Sequence, residues 1–87
     1  MPYTVLLSKS AQKQLRKLPS KIADLIEEKL LELEENPRPP GCKKLVGEEN
    51  AWRIRVGDYR VLYEIQDQVL IVHVVDIDHR KDIYKKR

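Results

Sequence analysis

The chain has a single cysteine, Cys42, among its 87 residues. One thiol cannot form an internal disulfide, so the sequence favours a reducing compartment. No apolar run approaches the ~18 residues of a membrane-spanning helix. The first ten residues also lack the charged start and the long apolar region of a secretory signal. These absences predict a cytoplasmic protein that makes no contact with a membrane.

Charged residues are abundant but unevenly distributed. They make up 36% of the chain, compared with about 25% in an ordinary globular protein. Residues 1–20 carry a net charge of +4, residues 21–36 carry −4, and the final eight residues carry +4 again. The basic regions predict a polyanionic partner for one surface, and the acidic segment predicts a different partner for another.

The length and the periodicity of the chain predict one α+β domain over residues 1–87. Ser8 is expected to cap a first helix, and Pro19 to open a second helix that runs to about Glu35. The proline-rich segment at residues 36–41 then breaks the chain, and the apolar period changes to two. The predicted order is βααβββ, with a helical hairpin on one face of a mostly antiparallel twisted sheet. The predicted strands are 3–7, 52–56, 59–66 and 69–76.

The stretch AWRIRVGDYRVLY, residues 51–63, predicts a β-hairpin that turns at residues 57–58. Arg55 then lies opposite Arg60, and because side chains alternate across a strand, Arg53 shares their face. Two guanidinium groups ~5 Å apart repel by about 1 kcal/mol in water, and like charges directly opposite destabilise a sheet. The cluster therefore indicates a site for an anion with several oxygens. A phosphate is the simplest candidate, because arginine binds it in bidentate geometry.

A second hairpin, paired about Asp67 and Gln68, is expected to extend this surface. It places residue 60 opposite residue 75, so that Arg80 follows five residues beyond the pair. Arg80 and Tyr84 then emerge near a sheet edge and can reach the arginine face. The sequence thus predicts a concave cationic site with a phenol at its rim, built from Arg53, Arg55, Arg60, Arg80 and Tyr84.

Three segments of the chain resemble the RelE branch of the RelE/ParE toxin superfamily. They are LRKLP at the break between the helices, WRIRVGDYRVLYEI across the first hairpin, and VVDIDHRKDIY at the C-terminal end. The basic-x-basic pair followed by G-D-Y-R is the most specific part, and the match covers the whole chain. The resemblance implies a bacterial toxin that enters the ribosomal A site and cuts messenger RNA. The cut is expected to leave a 2′,3′-cyclic phosphate and to need no metal or other cofactor.

The resemblance also implies which residues do the chemistry. Tyr84 is expected to be the general base, because neighbouring cations favour the phenolate form of a tyrosine. The division of acid and base work among Tyr84, Arg80 and His79 stays open from the sequence. The full assignment has a catalytic group, Arg55, Arg60, Arg80 and Tyr84, and an RNA-binding group, Arg53, His79, Lys81 and Lys85.

The partners implied by the resemblance are a RelB-like antitoxin and RNA. The antitoxin is expected to be encoded nearby and to restrain the toxin. The RNA partners are messenger RNA in the ribosomal A site and ribosomal RNA. Operator DNA is expected to be contacted only through the complex with the antitoxin.

Other interpretations of the same residues compete with this one. The arginines could extend into water or pair with Glu64 and Asp58, and Tyr84 could simply pack a C-terminal turn. A protein of the ParE branch, which shares the fold but poisons DNA gyrase, would need no such constellation. A module of the same fold could also bind RNA or protein without any activity.

Two further chemistries fit the sequence poorly. Cys42 has no histidine close to it in the sequence and lies beside the proline-rich segment, which disfavours a thiol nucleophile. A metal site near the C-terminal end would place its ligands among cations, because Arg80 and Lys81 are interspersed with them. The candidate ligands there are Asp76, Asp78, His79 and Asp82.

Overall fold

Residues 2–79 are described by a computed structural model of the chain. Two helices and five strands follow one another along this part. Within it, no helix is both long enough and apolar enough to cross a membrane. The elements are β1 (Thr4–Leu7), α1 (Lys9–Lys17), α2 (Ser20–Glu35), β2 (Lys43–Lys44), β3 (Ala51–Val56), β4 (Tyr59–Gln66) and β5 (Ile71–His79).

The five strands form one sheet in the order β1-β5-β4-β3-β2. β1 runs parallel to β5, and every other pair of neighbours is antiparallel. The helical hairpin covers one face of the sheet, which confirms the predicted α+β class. The buried core between the two layers consists of Ala11, Ile26, Leu30, Leu33, Ile54, Val56, Val61, Tyr63, Ile65, Val72, Val74 and Ile77.

Ser8 fixes the start of the first helix, as its position in the sequence predicts. Its hydroxyl accepts a hydrogen bond from the Ala11 backbone N–H at 3.0 Å, which is the N-cap geometry. The same hydroxyl donates to the Val75 carbonyl at 2.9 Å. The cap therefore also ties the beginning of α1 to β5. Pro19 directly precedes α2, where its missing N–H costs no helical hydrogen bond.

The register of the first hairpin is confirmed. Arg55 pairs with Arg60, and Val56 pairs with Tyr59 across a two-residue turn. Gly57 has φ of +60°, the left-handed conformation that tight hairpin turns require and that glycine adopts without strain. The pairing places alternate side chains of β3 and β4 in the core and leaves the arginines on the other face.

The predicted register of the second hairpin is wrong. Residue 60 was expected opposite residue 75, but Arg60 pairs with Asp78. The turn between β4 and β5 is centred one residue later than predicted, with Leu70 at a positive φ of 56°, and this moves the pairing by two residues. A β-bulge between Leu62 and Tyr63 moves it by one more.

A short fifth strand was not predicted. β2 is only two residues long, and both residues, Lys43 and Lys44, are exposed. Lys43 pairs with Arg53, and Lys44 pairs with Trp52. A dipeptide has no alternation to detect, so this strand leaves no signal in the sequence. It closes one edge of the sheet and brings an additional cation beside the arginines.

A polar cluster ties the proline-rich segment, residues 36–41, to the sheet. Arg38 donates two hydrogen bonds to the Asp67 carboxylate, at 3.2 and 2.9 Å. Its guanidinium also lies 5.2 Å from the centre of the Trp52 ring, within the range of a cation–π contact. Tyr3 donates a further hydrogen bond to Asp67 at 2.6 Å. These contacts join the start of the chain, the segment and the turn after β4.

A buried phenol holds the same segment from the core side. The Tyr63 hydroxyl donates a hydrogen bond to the Pro37 carbonyl at 2.7 Å. Burial raises the pKa of Tyr63 well above its ordinary value, and the nearby Cys42 thiol adds to the effect. Tyr63 is therefore a protonated donor at neutral pH.

Asp67→Asn should make the stability of the fold less sensitive to acid. The Arg38 guanidinium, followed by the Tyr3 hydroxyl, holds the pKa of the Asp67 carboxyl below its ordinary value. The folded state thus favours the carboxylate, and this stability is present above the ordinary pKa and lost as the pH falls through the lowered one. Thermal melts should show the variant below the parent at neutral pH, with the gap closing as the pH falls below the ordinary pKa of an aspartate.

Asp24→Asn is the control, because it removes an exposed carboxyl on α2 that forms no salt bridge within residues 2–79. It should show no gap that closes in this way. A gap for Asp67→Asn that is the same at every pH would mean that the cluster does not act through the charge of the carboxylate.

Candidate functional site

Three arginines lie on the face of the sheet away from the helices. Arg53 and Arg55 belong to β3, and Arg60 belongs to β4. Because Ile54 and Val56 point into the core, the alternating arginines of β3 must point the other way. Arg60 is the partner of Arg55 in the ladder and therefore shares that face. The structure thus brings these three predicted site residues together.

Arg60 lies between neighbours of opposite charge. It is on the middle strand of the sheet, with Arg55 opposite it on one side and Asp78 opposite it on the other. Arg60 is only 8% exposed and Asp78 only 6%. An acidic cross-strand neighbour offsets the repulsion between the two arginines. The fold tolerates the like-charged pair partly because of Asp78, which the predicted register would have placed elsewhere.

The Arg60 guanidinium is buried, and one of its nitrogen atoms is not used in the hydrogen bonding of residues 2–79. Its Nη1 atom has no hydrogen-bond partner within the part of the chain that the structure describes. A buried donor without a partner costs about 1–3 kcal/mol, and native proteins contain few of them. The Nη1 donor of Arg60 is therefore available to an oxygen atom of a ligand. An anion bound there would also lie beside Arg55, the cross-strand partner of Arg60.

A shallow pocket of about 180 Å³ opens on this face. It is smaller than the roughly 300–1,000 Å³ of sites that enclose a small organic molecule, so it suits the charged backbone of a larger ligand that crosses the surface. A wider pocket of about 450 Å³ adjoins it towards α2 and shares Arg55. The residues that line the smaller pocket are Gly41, Lys43, Arg53, Ile54, Arg55 and Arg60.

His79 does not join the arginines. It pairs with Tyr59, which in turn pairs with the core residue Val56, so its side chain lies on the helix side of the sheet. The His79 and Tyr59 rings meet edge to face, with their centres 5.3 Å apart. The bulge in the second hairpin is the cause, because one extra residue moves the rest of a strand to the opposite face. Its RNA-binding role therefore stays a prediction without support from the geometry.

The remaining predicted site residues lie outside the described residues 2–79. They are two of the catalytic group and two of the RNA-binding group. In the sequence, the first of them follows His79 directly and stands two positions after Asp78. The four are Arg80, Lys81, Tyr84 and Lys85.

Lys43 is the site residue that the sequence did not reveal. Its pairing with Arg53 places it on the arginine face, and it lines the pocket there. The only signal in the sequence is the basic dipeptide after the proline-rich segment, and nothing local distinguishes Lys43 from Lys44. The pairing across the sheet makes that distinction.

The chain is similar to known toxins over nearly its whole length. Residues 5–84 match the family described as the ParE toxin of the type II toxin–antitoxin system parDE. Toxin RelG of Mycobacterium tuberculosis is 38% identical over 90 residues, which cover 99% of this chain and 100% of that protein. The mRNA interferase toxin RelE of Escherichia coli is 30% identical over 93% of this chain and 86% of its own length.

The fold is similar to that of a toxin solved with its antitoxin. The crystal structure of the toxin–antitoxin complex RelBE2 from M. tuberculosis contains a chain that superposes with a TM-score of 0.81 at 34% sequence identity. The superposition covers 92% of this chain and 100% of that chain. The likeness therefore extends to the complete arrangement of helices and strands.

Proposed function

The chain belongs to the RelE branch of the RelE/ParE superfamily of type II toxins, and we propose that it is an endoribonuclease that cuts messenger RNA in the ribosomal A site. One relative is named an mRNA interferase. In this chain, the observation that carries the proposal is the buried Arg60 guanidinium with an unpartnered Nη1 within residues 2–79. It lines a pocket together with Arg53 and Arg55, where a phosphate would supply the missing acceptor.

The proposed reaction is an attack by the RNA on its own backbone. The 2′-oxygen forms a bond to the adjacent phosphorus, and the bond from phosphorus to the 5′-oxygen breaks. The products are a 2′,3′-cyclic phosphate and a free 5′-hydroxyl. Tyr84, as its phenolate, takes the proton of the 2′-hydroxyl. Arg80 donates a hydrogen bond to the leaving 5′-oxygen, which then takes a proton from water.

The arginines supply the charge that this reaction needs. Negative charge builds up on the non-bridging oxygens of the phosphate as the fifth bond forms, and donors fixed in place stabilise it without reorganising. Arg55 and Arg60 are paired side by side for this role. Arg53 lies two residues before Arg55 on the same face and positions the backbone. With this much fixed positive charge, the proposed reaction requires no metal.

The proposed partners follow from the same premise. The M. tuberculosis neighbour was solved as a complex of toxin and antitoxin, and we propose a RelB-like antitoxin for this chain as well. Leu25 and Leu31 are 44% and 62% exposed on the acidic helix α2, a surface that suits a mixed basic and apolar segment of the antitoxin.

We further propose that the protein contacts operator DNA only through that antitoxin. Work at the ribosome would place the protein in the cytoplasm, as its single cysteine also predicts.

The proposal is tested with ribosomes that are translating a defined messenger. Addition of the protein should produce new RNA 5′ ends at the codon in the A site, with cyclic phosphate on the upstream fragment. The same RNA without ribosomes should be cut far more slowly. If the messenger RNA stays intact and the protein inhibits DNA supercoiling by gyrase, the gyrase-directed alternative is favoured. RNA binding without cleavage or gyrase inhibition would indicate a binding module.

A further inference from the structure

A second pair of like charges lies beside Arg55 and Arg60. Lys43 of β2 is directly opposite Arg53 of β3, on the same face of the sheet. On the basis of the proposed function, we propose that Lys43 and Arg53 form a second phosphate subsite. The protein would then hold two consecutive phosphates of single-stranded RNA, the scissile one at Arg55 and Arg60 and its neighbour at Lys43 and Arg53.

The spacing of the two pairs fits a nucleic-acid backbone. Arg53 and Arg55 are two residues apart on β3, and side chains at that separation stand roughly 6.7 Å apart along a strand. Neighbouring phosphates of an extended single strand are separated by a comparable distance. Both pairs line one pocket, so that a strand crossing it would meet first one pair and then the other.

Lys43 has little structural reason to be a cation at this position. Its side chain is exposed, and it forms no salt bridge with any residue in the described part of the chain. A cation opposite Arg53 is unfavourable for the sheet by itself. Lysine on an edge strand does protect a sheet from pairing with other chains. That explanation applies equally to Lys44, however, whereas only Lys43 lines the pocket.

Lys43 and Lys44 therefore form a matched pair for an experiment. Each substitution to alanine removes one positive charge from an exposed position on the same two-residue strand. Lys44 pairs with Trp52 and so points to the other side. Any effect of net charge on RNA binding will be shared by the two variants. An effect of a direct phosphate contact will appear in Lys43→Ala alone.

The first measurement is the affinity for a short single-stranded RNA oligonucleotide as a function of salt. Each phosphate contact contributes about −0.7 to the slope of log affinity against log salt for a single strand. Lys43→Ala should bind roughly tenfold more weakly and have a slope shallower by about 0.7. Lys44→Ala should keep the parent slope. Equal slopes for the two variants would overturn the subsite.

The second measurement uses oligonucleotides in which one phosphate next to the scissile one is an uncharged methylphosphonate. The parent and Lys44→Ala should lose affinity when the neighbour on one side is neutral. Lys43→Ala should show a clearly smaller further loss, because only Arg53 still contacts that phosphate. If Lys43→Ala stays as sensitive as the parent, Lys43 does not contact that phosphate. Arg55→Ala separates this outcome from a failure of the proposed function. Unchanged cleavage by Arg55→Ala would contradict the proposed function. A large loss of cleavage by Arg55→Ala, together with parent-like RNA affinity of Lys43→Ala, would contradict only the subsite.

Discussion

Arg55→Ala should lower the rate of messenger cleavage by about 10²-fold or more and leave the fold intact. The magnitude is that expected for the loss of one donor that stabilises charge in the transition state. Stability should be unchanged or slightly higher, because Arg55 is exposed and the substitution relieves its repulsion with Arg60. The measurement is single-turnover cleavage on programmed ribosomes, combined with thermal melts of the free protein.

The choice of Arg55 over Arg60 follows from burial. Arg60 is only 8% exposed and lies against Asp78, so its removal would alter packing as well as chemistry. Lys44→Ala serves as the control for the loss of one charge, and Arg55→Lys tests whether a planar guanidinium is needed. If Arg55→Ala melts clearly lower while cleavage persists, the arginine is a structural residue and the site is elsewhere.

The first hairpin could be predicted in full because its information is local. A glycine at the turn fixes the register, and strict alternation of apolar and charged residues then assigns every side chain to a face. The positions of Arg53, Arg55 and Arg60 follow from these two facts. The helices could also be predicted from the sequence, because a serine cap and a 3.6-residue apolar period mark them.

The second hairpin could not be predicted because two small irregularities decide it. Leu70 adopts a left-handed conformation that is unusual for leucine, and the bulge at Leu62 adds a residue to one strand only. Neither has a signature in the sequence. Together they place Asp78 opposite Arg60 and turn His79 to the helix side. The acidic neighbour of the site and the exclusion of a histidine from it are therefore results of the structure.

Long-range contacts account for the rest of what the sequence did not reveal. Arg38 and Asp67 are 29 residues apart, and their hydrogen bonds hold the proline-rich segment beside the sheet. The position of that segment allows Lys43 and Lys44 to pair with β3 as a strand. These contacts together place Lys43 opposite Arg53, on the face of the sheet that carries the arginines. Composition alone could indicate a basic surface but not which lysine belongs to it.

Tyr84→Phe should preserve RNA binding and abolish most of the cleavage. The substitution removes only the hydroxyl, and a positioned general base contributes typically 10²–10⁴-fold to a rate. Tyr84 lies outside the described residues, so this expectation rests on the sequence and on the family. The measurement is single-turnover cleavage across a range of pH, with RNA affinity determined in parallel. The parent rate should rise with pH until the base is deprotonated, and the residual rate of the variant should lose that rise.

Tyr59→Phe is the matched control for the loss of one phenol hydroxyl. Its ring lies on the helix side of the sheet against His79, and the variant should cleave at nearly the parent rate. If Tyr84→Phe stays within about threefold of the parent, the base is a different group, since a true base contributes far more. His79 would be examined next, through His79→Gln. For His79 to serve, its ring would have to leave Tyr59 and cross to the arginine face, so a base role would also require a change in the pairing at the end of β5.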